Sequence, residues 1–241
     1  MAVSLTRKQL IDDFAIRSFR DIADEDYIAA RMAYRAGLSY ASLWASQQAI
    51  EKYLKCILLL HQIPARKVGH SLVEALKKIE DSGKVSLNLK QVSLDFIKYL
   101  DEIGAFRYFE VSTVVSSRDF VKLDRVVWEL RRFCSLDSQL QSLELQMGVI
   151  APRYALAGGV LEKVTETKTD PAHQALLWNN GFIGKRKRRL IKFPSWMKMR
   201  NAPLYMHPEI LDELLLYVFL PPRLVLGWKQ HKSPGYEAVE E

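Results

Sequence analysis

A mainly α-helical fold, an up-and-down bundle of about five helices followed by a mixed or irregular C-terminal region, is predicted by three features of this 241-residue sequence. Through residues 1–149 apolar side chains recur at spacings of mostly three and four, the period of one buried helical stripe. No run in that stretch alternates apolar with polar, as a half-buried strand would. Eight of the nine prolines lie at or after Pro152, and Gly158-Gly159 follows, so the composition changes near residue 150. A boundary there gives a helical bundle at 1–149 and a basic, Pro-rich extension of unassigned fold at 150–241.

The elements follow in order. Asp24 is placed to cap a helix running through Ala36, with Asp26 near the positive end of its dipole and Gly37 as its stop. The next helix spans about Ser39 to His61, with Leu43, Ala49, Ile50, Tyr53, Leu54, Ile57 and Leu58 on one stripe, and Pro64 ends the run. Ser71 caps Leu72 to Glu80, Glu74 completes a capping box, and Asp81-Ser82-Gly83 closes it. Lys90 to Leu100 forms a fourth helix. A fifth begins near Ser117, turns Phe120, Leu123, Val127, Leu130 and Phe133 inward, and has a pattern that reaches Met147. In the tail, Leu211 to Leu220 suits a helix after Pro208, while Leu190 to Phe193 and Leu224 to Trp228 suit short strands or loop anchors.

Composition excludes several classes. Hydrophobic residues are 49% and charged ones 26%, the balance of a folded chain rather than a disordered one. Cys56 to Leu60 and Leu214 to Leu220 fall far short of the roughly 20 apolar residues that span a bilayer, and residues 1–10 lack a signal-peptide core. Two cysteines, Cys56 and Cys134, among apolar neighbours support neither a disulfide framework nor a cysteine zinc site, so a cytoplasmic protein without membrane attachment is expected. No Gly-rich phosphate loop, HExxH or GxSxG is present, and the five histidines are too scattered for metal-ligand spacing. Neither a metal nor a cofactor is expected. The Asp12-Asp13 pair reads as a helix start rather than a metal site.

The net charge of +7 is concentrated: residues 150–241 carry 14 basic and 9 acidic side chains. Between Asp170 and Glu209 there is no acidic residue, and the interval holds Lys185, Arg186, Lys187, Arg188, Arg189, Lys192, Lys198 and Arg200. A field of that sign attracts polyanions through counterion release. The same run also suits a solvated loop, but Phe182, Phe193 and Trp196 are interleaved with the cations, as base stacking beside phosphate contacts requires.

Asp24-Glu25-Asp26-Tyr27-Ile28-Ala29-Ala30-Arg31, Tyr34-Arg35-Ala36-Gly37-Leu38 and Ser46-Gln47-Gln48-Ala49-Ile50-Glu51-Lys52-Tyr53-Leu54-Lys55 resemble the HEPN domain family. Gly69-His70-Ser71-Leu72-Val73-Glu74-Ala75-Leu76 and Arg107-Tyr108 resemble its later signatures, so the likeness covers residues 20–135 and leaves the tail aside. The resemblance implies a compact, usually dimeric bundle. It implies one of two activities: a metal-independent ribonuclease of defence or toxin systems, or a nucleotide-binding or toxin partner of a small nucleotidyltransferase. The nuclease members carry an Arg and a His a short helical stretch apart. Here Arg66 and His70 are too close, no histidine follows Arg107 before His173, and the nearest match is Arg200 with His207, interrupted by Pro203.

The candidate site residues are therefore these. Gln48 and Glu51 orient Lys52 and Lys55 on one and a half helical turns, with Glu51 and Lys55 spaced to pair. Arg66, Lys67 and His70 precede a helix N-terminus that favours anions. Arg107 and Tyr108 combine a cation with a ring, and Lys185, Arg186, Lys187, Arg188 and Arg189 supply the strongest field. Each has a structural alternative, as a surface ion pair, a loop anchor, a packed turn or a solvated loop. The leading function is a homodimer that binds RNA or nucleotide. One alternative is a ribonuclease toxin using Arg200 and His207 or a composite dimer site. Another is an interaction module that docks a nucleotidyltransferase through Leu214 to Leu220.

Overall fold

The computed structural model describes residues 7–64, 66, 68–104, 113–135, 159–167, 170–183, 197–200, 211–217 and 222–231. The chain divides into two compact units, one of Met1–Asp101 with Ser117–Pro194, the other of Glu102–Ser116 with Ser195–Glu241. The boundary expected near residue 150 lies outside the described residues.

In the first unit, α1 (Arg7–Ala15) passes through a single π-helical turn, Ile16–Arg20, straight into α2 (Asp21–Arg35). Asp24 is thus not a cap. Its carboxylate lies inside α2, fully buried, accepting from Tyr53 Oη at 2.5 Å and from Arg131 rather than from the first-turn N–H groups of its own helix. Nor do Asp12 and Asp13 start a helix: they lie within α1 and pair with Lys8 and Arg17 at i,i+4. Among the described residues no cluster of His, Cys, Asp or Glu has metal-binding geometry.

The stop at Gly37 follows the expected mechanism. Its φ of +75° suits a residue without Cβ, and Leu38 N–H donates to Ala33 O while Gly37 N–H donates to Tyr34 O, a Schellman closure. That turn folds α3 (Ser39–Leu60) back along α2. α3 is the central helix: its whole predicted stripe is buried, and it packs on α1, α2, α4 and α6. α4 (Leu72–Asp81) is capped by Ser71, whose Oγ accepts from Glu74 N–H at 3.2 Å. α5 (Gln91–Gly104) follows, and α6 (Ser117–Arg131) buries Phe120, Leu123, Val127 and Leu130 as expected.

α6 does not continue toward Met147. Phe133 N–H turns to Leu130 O and Cys134 N–H to Arg131 O, tight bonds that close the last turn, and Cys134 points inward to donate to Tyr53 O. Two further helices, α7 (Val160–Glu166) and α8 (Pro171–Leu177), return onto α2, so the helical unit continues past residue 150. Asp170 caps α8 by accepting from Ala172 N–H at 2.7 Å, with Pro171 pre-setting the first turn.

The second unit contains the strands that the sequence reading did not foresee. β1 (Thr113–Ser116) pairs antiparallel with β2 (Met197–Arg200), Thr113 opposite Arg200 and Ser116 opposite Met197. Four residues are too few to show alternation, and the β-branched Thr-Val-Val core of β1 is the local signal. α9 (Leu211–Tyr217) agrees with the expected tail helix. Leu224 to Trp228, expected as a strand or anchor, instead belongs to α10 (Pro222–His231), because Pro222 supplies a ready first helical turn. Leu190 to Phe193 lie outside the described residues. The fold is mainly α-helical, and among the described residues no helix is long and apolar enough to cross a membrane.

Candidate functional site

Beside its apolar stripe α3 carries a continuous polar chain in which Gln47 and Glu51 are buried. Lys52 Nζ donates to Asp26 of α2 at 2.5 Å and to Gln48 Oε1 at 3.3 Å. Gln48 Nε2 donates to Gln47 Oε1 at 2.6 Å, and Gln47 Nε2 reaches Glu51 Oε2 at 3.3 Å. Glu51, its side chain 8% exposed, then accepts from Lys55 Nζ at 2.6 Å and from His70 Nδ1 at 2.9 Å. The i,i+4 pairing of Glu51 with Lys55 is the one the spacing predicts, and Gln48 Oε1 accepts from Lys52.

The structure also brings His70 into this group, which spacing along the chain did not show. Glu51 fixes one ring nitrogen of a side chain that is otherwise 72% exposed, leaving Nε2 on the outer side. Within the chain each lysine faces a carboxylate, Asp26 or Glu51, so the belt is close to neutral. Arg66 is exposed in the same loop.

The helix N-terminus beside His70 already holds an anion. Asp101 of α5 accepts from Leu72 N–H and from Ser71 Oγ, occupying the place where the sequence suggested a phosphate. Lys67, Arg107, Tyr108, Lys185, Arg186, Lys187, Arg188, Arg189 and His207 lie outside the described residues. Arg200 ends β2, and only its backbone is described.

Sequence reasoning missed two buried polar networks. In the first, Arg31 of α2, fully buried, pairs with Asp124 of α6 and donates to Ala175 O at 2.8 Å and to Trp178 O. Tyr27 Oη donates to Asp124 at 2.6 Å and accepts from Asn180 Nδ2 at 2.9 Å, while the Arg31 guanidinium lies 4.2 Å from the Phe120 ring centroid. Burial and the adjoining Asp124 push the Tyr27 hydroxyl well above its usual pKa. In the second network Arg131 clamps Asp24 at 2.8 and 2.9 Å and Glu162 of α7 at 2.6 and 2.7 Å. The signal was legible: Asp24, Tyr27 and Arg31 fall on one helical stripe, and Asp124 interrupts the inward stripe of α6.

The second network sets a pH dependence. Burial works to raise the Glu162 carboxyl, but the Arg131 guanidinium outweighs it and holds the group below its ordinary range. A depressed folded-state pKa stabilises the fold above the unfolded value, about 4.3, and the contribution is lost as pH falls through the folded value. Thermal melting followed from pH 7 to pH 3 should show an acid loss of stability that Glu162→Gln makes shallower; an unchanged acid limb would contradict this.

Comparison with protein families matches residues 16–123 to the family model of the HEPN domain. No curated protein matches the chain, and no solved structure does.

Proposed function

We propose, from residues 16–123 being a HEPN domain, that this chain binds RNA or nucleotide. The observation that carries the reading is the concentration of cations, without a single acidic residue, between Asp170 and Glu209 of a chain built on that bundle. Lys52, Lys55, Arg66 and His70 supply a second set of phosphate donors, oriented by Gln48 and Glu51. Lys67, Arg107 and Tyr108 are proposed as further contacts from the sequence alone. The finer reading is a homodimer in a defence or toxin–antitoxin-like system; an interaction module for a nucleotidyltransferase is the alternative to it. Arg200 and His207 are the residues on which a nuclease activity would rest.

The test is binding of a mixed RNA pool and of ATP to the purified chain at low and high salt, with mass followed by light scattering. Retention that falls steeply with salt, by about tenfold or more between 50 and 200 mM as several phosphate contacts require, supports the reading. Replacing all five cations of 185–189 by Ser should reduce that slope. No retention of RNA or ATP at low salt would refute it, and cleavage abolished by His207→Ala would make the chain a ribonuclease.

A further inference from the structure

The cations of α3 are each matched by a close carboxylate, whereas Arg132 at the end of α6 is matched by none among the described residues. Arg125 and Trp128 lie one turn apart on α6 and Arg132 follows directly after its last residue, so the two arginines come before and after Trp128 along the chain. Arg132 is anchored by the carbonyls of Glu129 at 3.1 Å and Leu87 at 3.1 Å, and among the described residues it pairs with no carboxylate. Its guanidinium lies 5.6 Å from the Trp128 ring centroid. Arg125 lies 5.3 Å from the Phe182 ring centroid and is 3.9 Å from Glu129, a loose contact.

Trp128 and Phe182 form an open wedge, centroids 5.9 Å apart and planes inclined by 39°. Trp128 keeps 41% of its surface exposed. Beside it opens a cleft of about 330 Å³ lined by Trp128, Arg131, Arg132, Leu161, Glu162 and Ile183, large enough for a planar heterocycle. The acidic wall of that cleft is partly offset, because both Glu162 oxygens accept from Arg131, which Glu162 shares with Asp24. An aromatic plane with a cation at each end is the arrangement that stacks a base and holds the phosphates on either side of it.

We propose that this cleft seats one base of a single-stranded RNA against Trp128, with Arg125 and Arg132 on the two flanking phosphates. Two cations around one ring favour a strand over a free nucleotide, whose phosphates lie on one side only. Phe182 lies against the Trp128 ring beside this cleft. This assignment rests on the reading of the chain as an RNA or nucleotide binder.

The experiment is fluorescence anisotropy of labelled ten-residue poly(A) and poly(U) oligonucleotides titrated with the full chain, its Trp128→Ala, Trp128→Phe and Arg125→Gln variants, and AMP as competitor. Trp128→Ala should weaken oligonucleotide binding by about tenfold or more, the loss of one stacked base. Trp128→Phe should retain most of the affinity, and Arg125→Gln should reduce the salt dependence. Parent-like affinity in Trp128→Ala overturns the cleft while leaving RNA binding by the chain intact. Binding of AMP without binding of either oligonucleotide overturns the strand assignment. Absence of any binding by the parent defeats the functional reading and this one with it. Circular dichroism confirms folding of each variant; if Trp128→Ala is unfolded, parent-like affinity and salt slope in Arg125→Gln overturn the proposal in its place.

Discussion

Asp124→Ala should destabilise the protein by about 3–5 kcal/mol and lower its melting temperature by roughly 10 °C or more. The substitution leaves Arg31, fully buried, without its countercharge and removes the acceptor of the Tyr27 hydroxyl. An uncompensated guanidinium in that position is far more costly than the ion pair was stabilising, since the pair itself has already met the desolvation of both ions. The two carbonyls of Ala175 and Trp178 still bind Arg31, so the variant keeps part of the network. A double-mutant cycle separates the two contributions: Arg31→Met with Asp124→Leu should lose less than the sum of the single losses, because the second change removes a charge the first has stranded. Additive losses in denaturant melts would show that the two residues do not act as a pair.

Asp24→Ala should cost about 3 kcal/mol and act first on the return of α7. Three groups lose an acceptor at once: Tyr53 Oη, Arg131 and the Leu161 backbone N–H, which lies 3.4 Å from Asp24 Oδ2. Arg131 retains Glu162, and its side chain is 20% exposed, so water relieves part of the stranded charge; this is why the expected cost is below that at Asp124. The local consequence is measurable separately from the global one. Hydrogen exchange at Val160–Glu166 should accelerate in Asp24→Ala more than exchange in α3 does, and Asp24→Asn should recover part of the protection by keeping an acceptor for Tyr53. Equal acceleration in both helices would mean that Asp24 supports the whole unit rather than α7.

What the sequence shows is whatever a local rule can express. The apolar stripe of α3, the Gly37 stop, the Ser71 cap and the Glu51–Lys55 spacing each follow from residues within one or two turns, and each is present. The misreadings concern residues whose partners are distant in the chain. Asp24 has the composition of a cap and was read as one, but its partners Tyr53, Arg131 and Leu161 lie 29 to 137 residues away. α6 stops at Arg131 through a tight turn that no proline or glycine announces. The Trp128 and Phe182 wedge is invisible for the same reason, since a 54-residue separation hides a 5.9 Å contact. On the candidate site, composition located the cations, and only the fold shows which of them already have countercharges.

The burial of Arg31 also imposes an order in time. Its partners Asp124, Ala175 and Trp178 are synthesised long after it, the last of them 147 residues later. At roughly 5–20 residues per second, the nascent chain spends on the order of ten seconds with this guanidinium and the neighbouring Tyr27 hydroxyl awaiting their partners. Helices α2 and α3 can pair early, because a short turn joins them, but their interior surface cannot close until Asn180 has left the ribosome. During that interval α2 exposes to other proteins a cation and an apolar face that the finished molecule keeps from them.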